Sequence, residues 1–406
     1  MRERFILCAI ILFLISAGAN AITDTLLNST ALESKVIHRV EAEFRPSYVL
    51  PTHEFFRGKN AANKPIDMAT SFHLKYSLRF APESYLAKIY RNAYQGIGLA
   101  RFDFGNRDEV GVPIAAYLFQ GAQIARFSPR VSLNYEWNFG LSWGWIPHDY
   151  ETNMFNRVVG SKKNAYMNVN LYLAWILSKR IDLNAGVDIA HFSNGNTDFP
   201  NSGVNYVGAK VGLVYNFNRK RDFISDLSPD RSDIPEFRKH INYDLVIFGA
   251  LRRRGALVDD RPVALPNLYN VLGFSFSPMY NCGYNFKFGL SLDGFYDGSA
   301  NLQFEGYIPG QPPVFSTPPL KNQLALGISA RAEFVMPYFT ICLGGGVHVI
   351  HGSGNIRSTY QIFALKAHLT RNTFLHFGYS LCDLDNPNFL MMGIGYRFNN
   401  QYPVIR

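Results

Sequence analysis

The stretch Val131-Ser-Leu-Asn-Tyr-Glu-Trp-Asn-Phe-Gly-Leu-Ser-Trp143 alternates without a break. Its odd positions are Val131, Leu133, Tyr135, Trp137, Phe139, Leu141 and Trp143. Its even positions are Ser132, Asn134, Glu136, Asn138, Gly140 and Ser142. A period of two belongs to a β-strand whose two faces meet different surroundings. One face here is large and apolar, and the other is small, polar or charged. Soluble strands usually run about five or six residues, whereas a strand that crosses a bilayer needs about 9–11. The length and the polarity of the smaller face therefore predict a membrane strand with a hydrated or polar-filled lumen behind it.

The same pattern recurs outward in both directions. Met167 to Leu177 places Met167, Val169, Leu171, Leu173, Trp175 and Leu177 on one face. Leu324 to Met336 sets Leu324, Leu326, Ile328 and Phe334 against Gly327, Ser329, Arg331 and Glu333. Sixteen such segments start near Val36, Ser71, Gln95, Ile114, Val131, Ala165, Ile181, Asn205, Ile241, Tyr269, Asn285, Asn322, Phe339, Tyr360, Thr373 and Phe389. Short connections (Phe127–Arg130, Ser178–Arg180, Pro337–Tyr338, Arg371–Asn372) mostly alternate with long ones (about 50–69, 146–164 and 298–321). That alternation is the habit of outer-membrane barrels. The fold expected is all-β, an antiparallel transmembrane β-barrel of about 14–16 strands in one barrel. A charged, proline-containing segment at 218–240 divides the chain, and both halves end on Tyr-x-Phe, at Tyr215-Asn-Phe217 and Tyr396-Arg-Phe398. Two eight-stranded barrels are therefore the alternative. The divisions expected are 1–21, 22–217 as the first half, 218–240 as connector and 241–406 as the second half.

Composition supports this class. Aromatic residues make up 15% of the chain and charged ones only 17%, against a usual charged share of about 25%. The N-terminus has basic Arg2 and Arg4, an apolar run from Phe5 to Ile15, and a small-residue end at Ala19-Asn-Ala21. This order predicts a secretory signal peptide cleaved near Ala21, and the apolar run is too short for a membrane helix. Export and a barrel together predict the bacterial outer membrane. Cys282, Cys342 and Cys382 remain after the signal, an odd number at wide spacing that suits neither a disulfide framework nor a zinc site. The net charge of +9, with basic clusters at Lys162-Lys163, Arg219-Lys-Arg221 and Arg252-Arg-Arg254, suits solvated loops or anionic head groups in an exported protein. No P-loop and no H-E-x-x-H motif occurs. Neither nucleic-acid binding, a metal nor a cofactor is expected, although loop aspartates Asp259, Asp260, Asp383 and Asp385 leave calcium open.

Alternation places one polar group in an unusual position. In the strand from Ile181, the lipid-facing residues Ile181, Leu183, Ala185, Val187 and Ile189 continue to His191 and Ser193. In the next strand, Val207, Val211, Leu213 and Tyr215 extend back to Asn205. His191, Ser193 and Asn205 thus share the lipid face at the end joined by the longer loop, Asn194 to Val204. An interfacial position accounts for one such residue. Three together also match the needs of ester hydrolysis: a nucleophile, a base within reach and a group that orients the base. His191 and Ser193 lie roughly 7 Å apart by strand rise. In the second half, Asp293, Asp297, His348 and His351 form either a lumen network or a second site.

His191-Phe-Ser-Asn-Gly-Asn196 followed by Pro200-Asn-Ser-Gly-Val-Asn205 resembles the active-site hairpin of the lipid A 3-O-deacylase (PagL) family, also grouped with acyloxyacyl hydrolases. The resemblance covers about Ala165 to Phe217 and extends toward Val36. It implies an outer-membrane carboxylic ester hydrolase that removes the 3-hydroxyacyl chain at position 3 of lipid A in lipopolysaccharide. It also implies His191 as general base, Ser193 as nucleophile, and Asn194 and Gly195 near the oxyanion. The partners implied are lipid A or related outer-leaflet lipids. The family's third residue is a glutamate, and Asn205 stands in that register here. The segment 241–406 has no counterpart in small members of the family. A porin-like transport barrel or an inactive structural relative is the alternative function.

Overall fold

The computed structural model describes residues 36–401 apart from 82–83, 218, 220–233, 235, 254, 259–260, 266, 307–313, 353, 355 and 384–385. The expected signal peptide, most of the connector, and Asp259, Asp260 and Asp385 lie outside the described residues. Eight antiparallel strands come first: β1 (Val36–Val49), β2 (Met68–Phe80), β3 (Tyr94–Asp103), β4 (Gly111–Arg126), β5 (Val131–Trp145), β6 (Lys163–Ile176), β7 (Ile181–Ser193) and β8 (Val204–Asn216). β8 pairs back onto β1, with Val40 opposite Tyr215, and the sheet closes. β9 (His240–Arg252) opens the second half and leads into a small hairpin of β10 (Gly255–Val258) and β11 (Arg261–Ala264). Then come β12 (Tyr269–Asn281), β13 (Phe286–Asp297), a hairpin of β14 (Gln303–Gly306) and β15 (Val314–Ser316), and β16 (Leu324–Val335). β17 (Phe339–His351), β18 (Thr359–His368), β19 (Thr373–Cys382) and β20 (Asn386–Phe398) complete the chain. β20 pairs with β9, closing a second eight-stranded barrel.

All sixteen segments read from alternation are barrel strands, and each begins within three residues of the expected start. The strands close as two barrels, the alternative, and not as the single barrel first expected. The reason is that the edge of β8 is satisfied by β1 and never meets β9. No described helix is long and apolar enough to cross a membrane. The spans are the strands.

Outward residues are exposed apolar side chains, such as Val187 at 56% and Ile189 at 52%. A continuous apolar outer face of this kind needs lipid. The lumens are filled. In the first barrel the buried Lys75 ammonium donates to Glu41 at 3.0 Å, Glu43 at 2.9 Å and Glu136 at 2.7 Å, and Lys210 pairs with Glu43 at 2.8 Å. Arg45 pairs with Glu43 and reaches Asp188 at 3.3 Å. In the second, Asp244 accepts from Arg397 at 2.7 Å and Lys366 at 2.8 Å, and Lys366 also pairs with Glu333. Buried charges survive only when paired and hydrogen-bonded. These networks occupy the space that a single sixteen-stranded barrel would have left as a channel.

The two barrels lie side by side along one seam. Trp137, on the outward face of β5, is only 6% exposed because it packs against Met336 and edge-to-face on Phe339, with ring centroids 5.1 Å apart. Tyr135 meets Phe334 and Phe139 meets Phe377 in the same seam. Met336 lies in the short β16–β17 turn, and Tyr135 lies near the short β4–β5 turn. Short turns of both barrels are therefore at the same end, and long loops at the other.

Candidate active site on the outer wall

β7 and β8 carry the three expected residues. Phe192 separates His191 from Ser193 and points inward, into a plug of aromatic rings at the loop end of the first barrel. Its ring lies 5.0 Å from Trp145 and 5.1 Å from Tyr166 and Phe102, centroid to centroid. Burying Phe192 forces its neighbours at ±1 onto the outer wall, because successive strand side chains point oppositely. His191 is registered directly opposite Asn205.

The structure brings His191 and Asn205 together. His191 Nδ1 and Asn205 Oδ1 are 2.7 Å apart. An amide oxygen can only accept, so Nδ1 carries the proton and Nε2 is left with its lone pair. Gly203 makes this packing possible. Its φ of +73° is left-handed, and a Cβ there would come within 2.9 Å of His191 Cε1 and 3.0 Å of the Phe192 carbonyl oxygen. Only glycine occupies that position without strain.

Ser193 does not hydrogen-bond to His191. Its Oγ instead accepts from Gly195 N–H at 3.0 Å and from Asn201 Nδ2 at 3.0 Å. Asn194 is committed to the turn: its N–H donates to Asn201 Oδ1 at 3.2 Å and its Nδ2 to the Asp198 carbonyl at 3.2 Å. Of the two residues expected near the oxyanion, Gly195 thus has its N–H aimed at the Ser193 oxygen, and Asn194 has its donors engaged within the loop. Asn201 was missed as a site residue, although it sits inside the Pro200-Asn-Ser-Gly203 stretch that drew attention to the loop.

The second unexpected feature is cover. Ser193 faces outward but is 5% exposed, unlike Val187 and Ile189 on the same face. The second barrel supplies the cover. A Cβ on Gly195, whose φ is +64°, would run into Leu390 of β20 at 2.5 Å. Asn196 Nδ2 reaches the Asn388 carbonyl at 3.5 Å, and Arg253 lies 3.7 Å from Asp198. Arg253 belongs to the basic cluster at 252–254 noted in the sequence, but nothing there pointed to Leu390 or Asn388, or tied any of the three to this site.

The other sequence candidates lie in the second half of the chain, away from β7 and β8. Asp293 accepts from Arg331, Ser329 and Tyr360, each at 2.7 Å, inside the second lumen. Asp297 pairs with Arg252 at 2.7 Å. His348 stacks on Tyr360 with centroids 4.4 Å apart, and His351 Nδ1 lies 2.8 Å from the Gly352 carbonyl. These four residues belong to a polar network and the loop above it. Cys282, Cys342 and Cys382 are free thiols. Among the described residues no group of three His, Cys, Asp or Glu side chains is placed to hold a metal ion.

Comparison with known proteins adds the relationship. Residues 70–214 match the family described as lipid A 3-O-deacylase (PagL). Residues 241–400 match the acyloxyacyl hydrolase C-terminal domain. No curated protein matches the chain. Among solved structures, Neisserial surface protein A is 12% identical, with a TM-score of 0.30 over 44% of this chain and 97% of that one. The outer membrane protein Omp33 of Acinetobacter baumannii is 9% identical, with a TM-score of 0.17 over 89% of this chain and 99% of that one. With a family match in each barrel, the chain belongs to the lipid A 3-O-deacylase family of the bacterial outer membrane and carries the acyloxyacyl hydrolase C-terminal domain as its second barrel.

Proposed function

We propose that this protein hydrolyses the ester-linked 3-hydroxyacyl chain of lipid A, with Ser193 as nucleophile, His191 as base and Asn205 as the residue that orients the base. The observation that carries the reading is the 2.7 Å His191 Nδ1 to Asn205 Oδ1 contact on the outer wall. It leaves Nε2 basic on the same face as Ser193, at the loop end of the barrel. There the ester of an outer-leaflet lipid stands beside the wall with its acyl chain in the bilayer.

The chemistry follows the serine-hydrolase scheme. Rotation of Ser193 about χ1 turns Oγ from the Gly195 and Asn201 donors toward His191 Nε2. Oγ attacks the ester carbonyl carbon while Nε2 takes its proton. The carbonyl π-bond opens to an oxyanion, and the two vacated donors, Gly195 N–H and Asn201 Nδ2, are available to it. Collapse expels the sugar oxygen, which receives the proton from Nε2. Water then attacks the acyl-serine by the same route and releases the free hydroxy acid. Resting catalytic contacts are often loose before substrate binds, in keeping with the absence of a His191–Ser193 bond here.

Buried side chains fill both lumens, so no observation favours a transport role. The test is mass spectrometry of lipid A incubated with the purified full chain. Loss of one hydroxyacyl mass with wild type and none with Ser193→Ala is expected. Equal loss with both would overturn the assignment of Ser193.

A further inference from the structure

The second barrel does more than extend the first, and its contacts with the site are specific. β19 and β20 turn the outward residues Tyr379 and Leu390 to the first barrel, and these two are registered cross-strand partners. Leu390 lies against Gly195. Tyr379 beside it brings its hydroxyl near that of Ser193. That phenolic oxygen is buried, yet it falls short of full hydrogen-bond geometry to any group. A buried hydroxyl without a well-formed bond is costly. Such a cost at an active site is relieved when substrate or transition state supplies the acceptor.

Resting on the proposed esterase reading, we infer that the second barrel completes the active site, with the Tyr379 hydroxyl as a donor to the oxyanion. The oxyanion forms on the carbon bonded to Ser193 Oγ. A donor beside the resting position of Oγ, which the attack vacates, therefore lies within short reach of the new negative oxygen. Tyr379 stays protonated throughout and donates a hydrogen bond, so no proton changes hands. Together with Gly195 N–H and Asn201 Nδ2 it makes a three-donor site, two donors from the first barrel and one from the second. Leu390 and Tyr379 also wall the outer side of Ser193, and so confine the lipid ester to the gap between the barrels. The same contacts hold the loop. Asn388, Leu390 and Arg253 of the second barrel all bear on Asp198, Gly195 or Asn196.

The experiment compares wild type, Ser193→Ala, Tyr379→Phe and Leu390→Ala in the full chain, with detergent-dispersed lipid A as substrate. Losing one oxyanion donor lowers kcat by roughly 100-fold or more. Tyr379→Phe keeps the ring, so KM should stay within about twofold, as expected when only transition-state binding is lost. Inactivation by an alkyl fluorophosphonate, whose Ser193 adduct is tetrahedral at phosphorus with its polar phosphoryl oxygen in the oxyanion position, should slow in parallel. Leu390→Ala should raise KM more than it lowers kcat. A Tyr379→Phe enzyme with kcat within about threefold of wild type, beside an inactive Ser193→Ala, would overturn the inference and leave the esterase reading standing. Full activity in Ser193→Ala would overturn both.

Discussion

In the proposed scheme Asn205 orients His191, at the register where the resemblance implies a glutamate, and its replacement tests whether His191 acts as a base. In the resting enzyme the His191–Asn205 bond joins two neutral groups and is worth about 1 kcal/mol. When Ser193 loses its proton, His191 becomes an imidazolium, and the same 2.7 Å bond becomes charge-assisted, worth about 1.5–3 kcal/mol. Only the difference, about 0.5–2 kcal/mol, reaches kcat. Asn205→Ala should therefore slow deacylation by about 2- to 30-fold, with KM unchanged. Asn205→Asp is isosteric and adds a charge about 4 Å from the ring centre. Coulomb's law at an effective dielectric near 20 gives about 4 kcal/mol. Both side chains are only half-buried, and screening reduces this to about 1–1.5 kcal/mol. Asn205→Asp should accelerate the reaction by about tenfold. The assay is the rate of 3-hydroxy fatty acid release from lipid A micelles by the purified variants. An Asn205→Ala rate within a factor of two of wild type would refute the orienting role. An aspartate variant slower than wild type would refute the build-up of positive charge on His191.

Two further outcomes come from the packing. Lys75→Met leaves Glu41, Glu43 and Glu136 without the ammonium that bridges them. It should destabilise the first barrel by about 3–5 kcal/mol, measured as a lower urea midpoint for the gel-mobility shift of folded barrels. An unchanged midpoint would mean that Lys210 and Arg45 compensate alone. Gly203→Ala must hold a side chain at φ +73° with its Cβ 2.9 Å from His191 Cε1. It should cost about 1–3 kcal/mol locally and lower kcat at least tenfold, while the barrel's urea midpoint stays close to wild type. Undiminished turnover would show that the imidazole is not held by this close approach.

Much of the first barrel was legible in the chain. Alternation specifies which side chains face lipid, because a strand's faces repeat every two residues. It placed His191 and Ser193 outward, with Asn205 on the same face across the hairpin. Alternation does not specify where a sheet closes. Whether β8 finds β1 or β9 depends on backbone groups that are identical in every strand, and the outcome was two barrels. The committed donors of Asn194, the turn of Ser193 Oγ toward Asn201, and the cover over Ser193 were equally out of reach. Each depends on a loop folding back on itself, or on β19 and β20 arriving from the far half of the sequence. Tyr379 and Leu390 read as two ordinary lipid-facing residues. Only docking of one barrel on the other, through Trp137, Met336 and Phe339, brings them to Ser193, because contact between closed barrels is set by the shapes of their outer walls and leaves no local period in the chain.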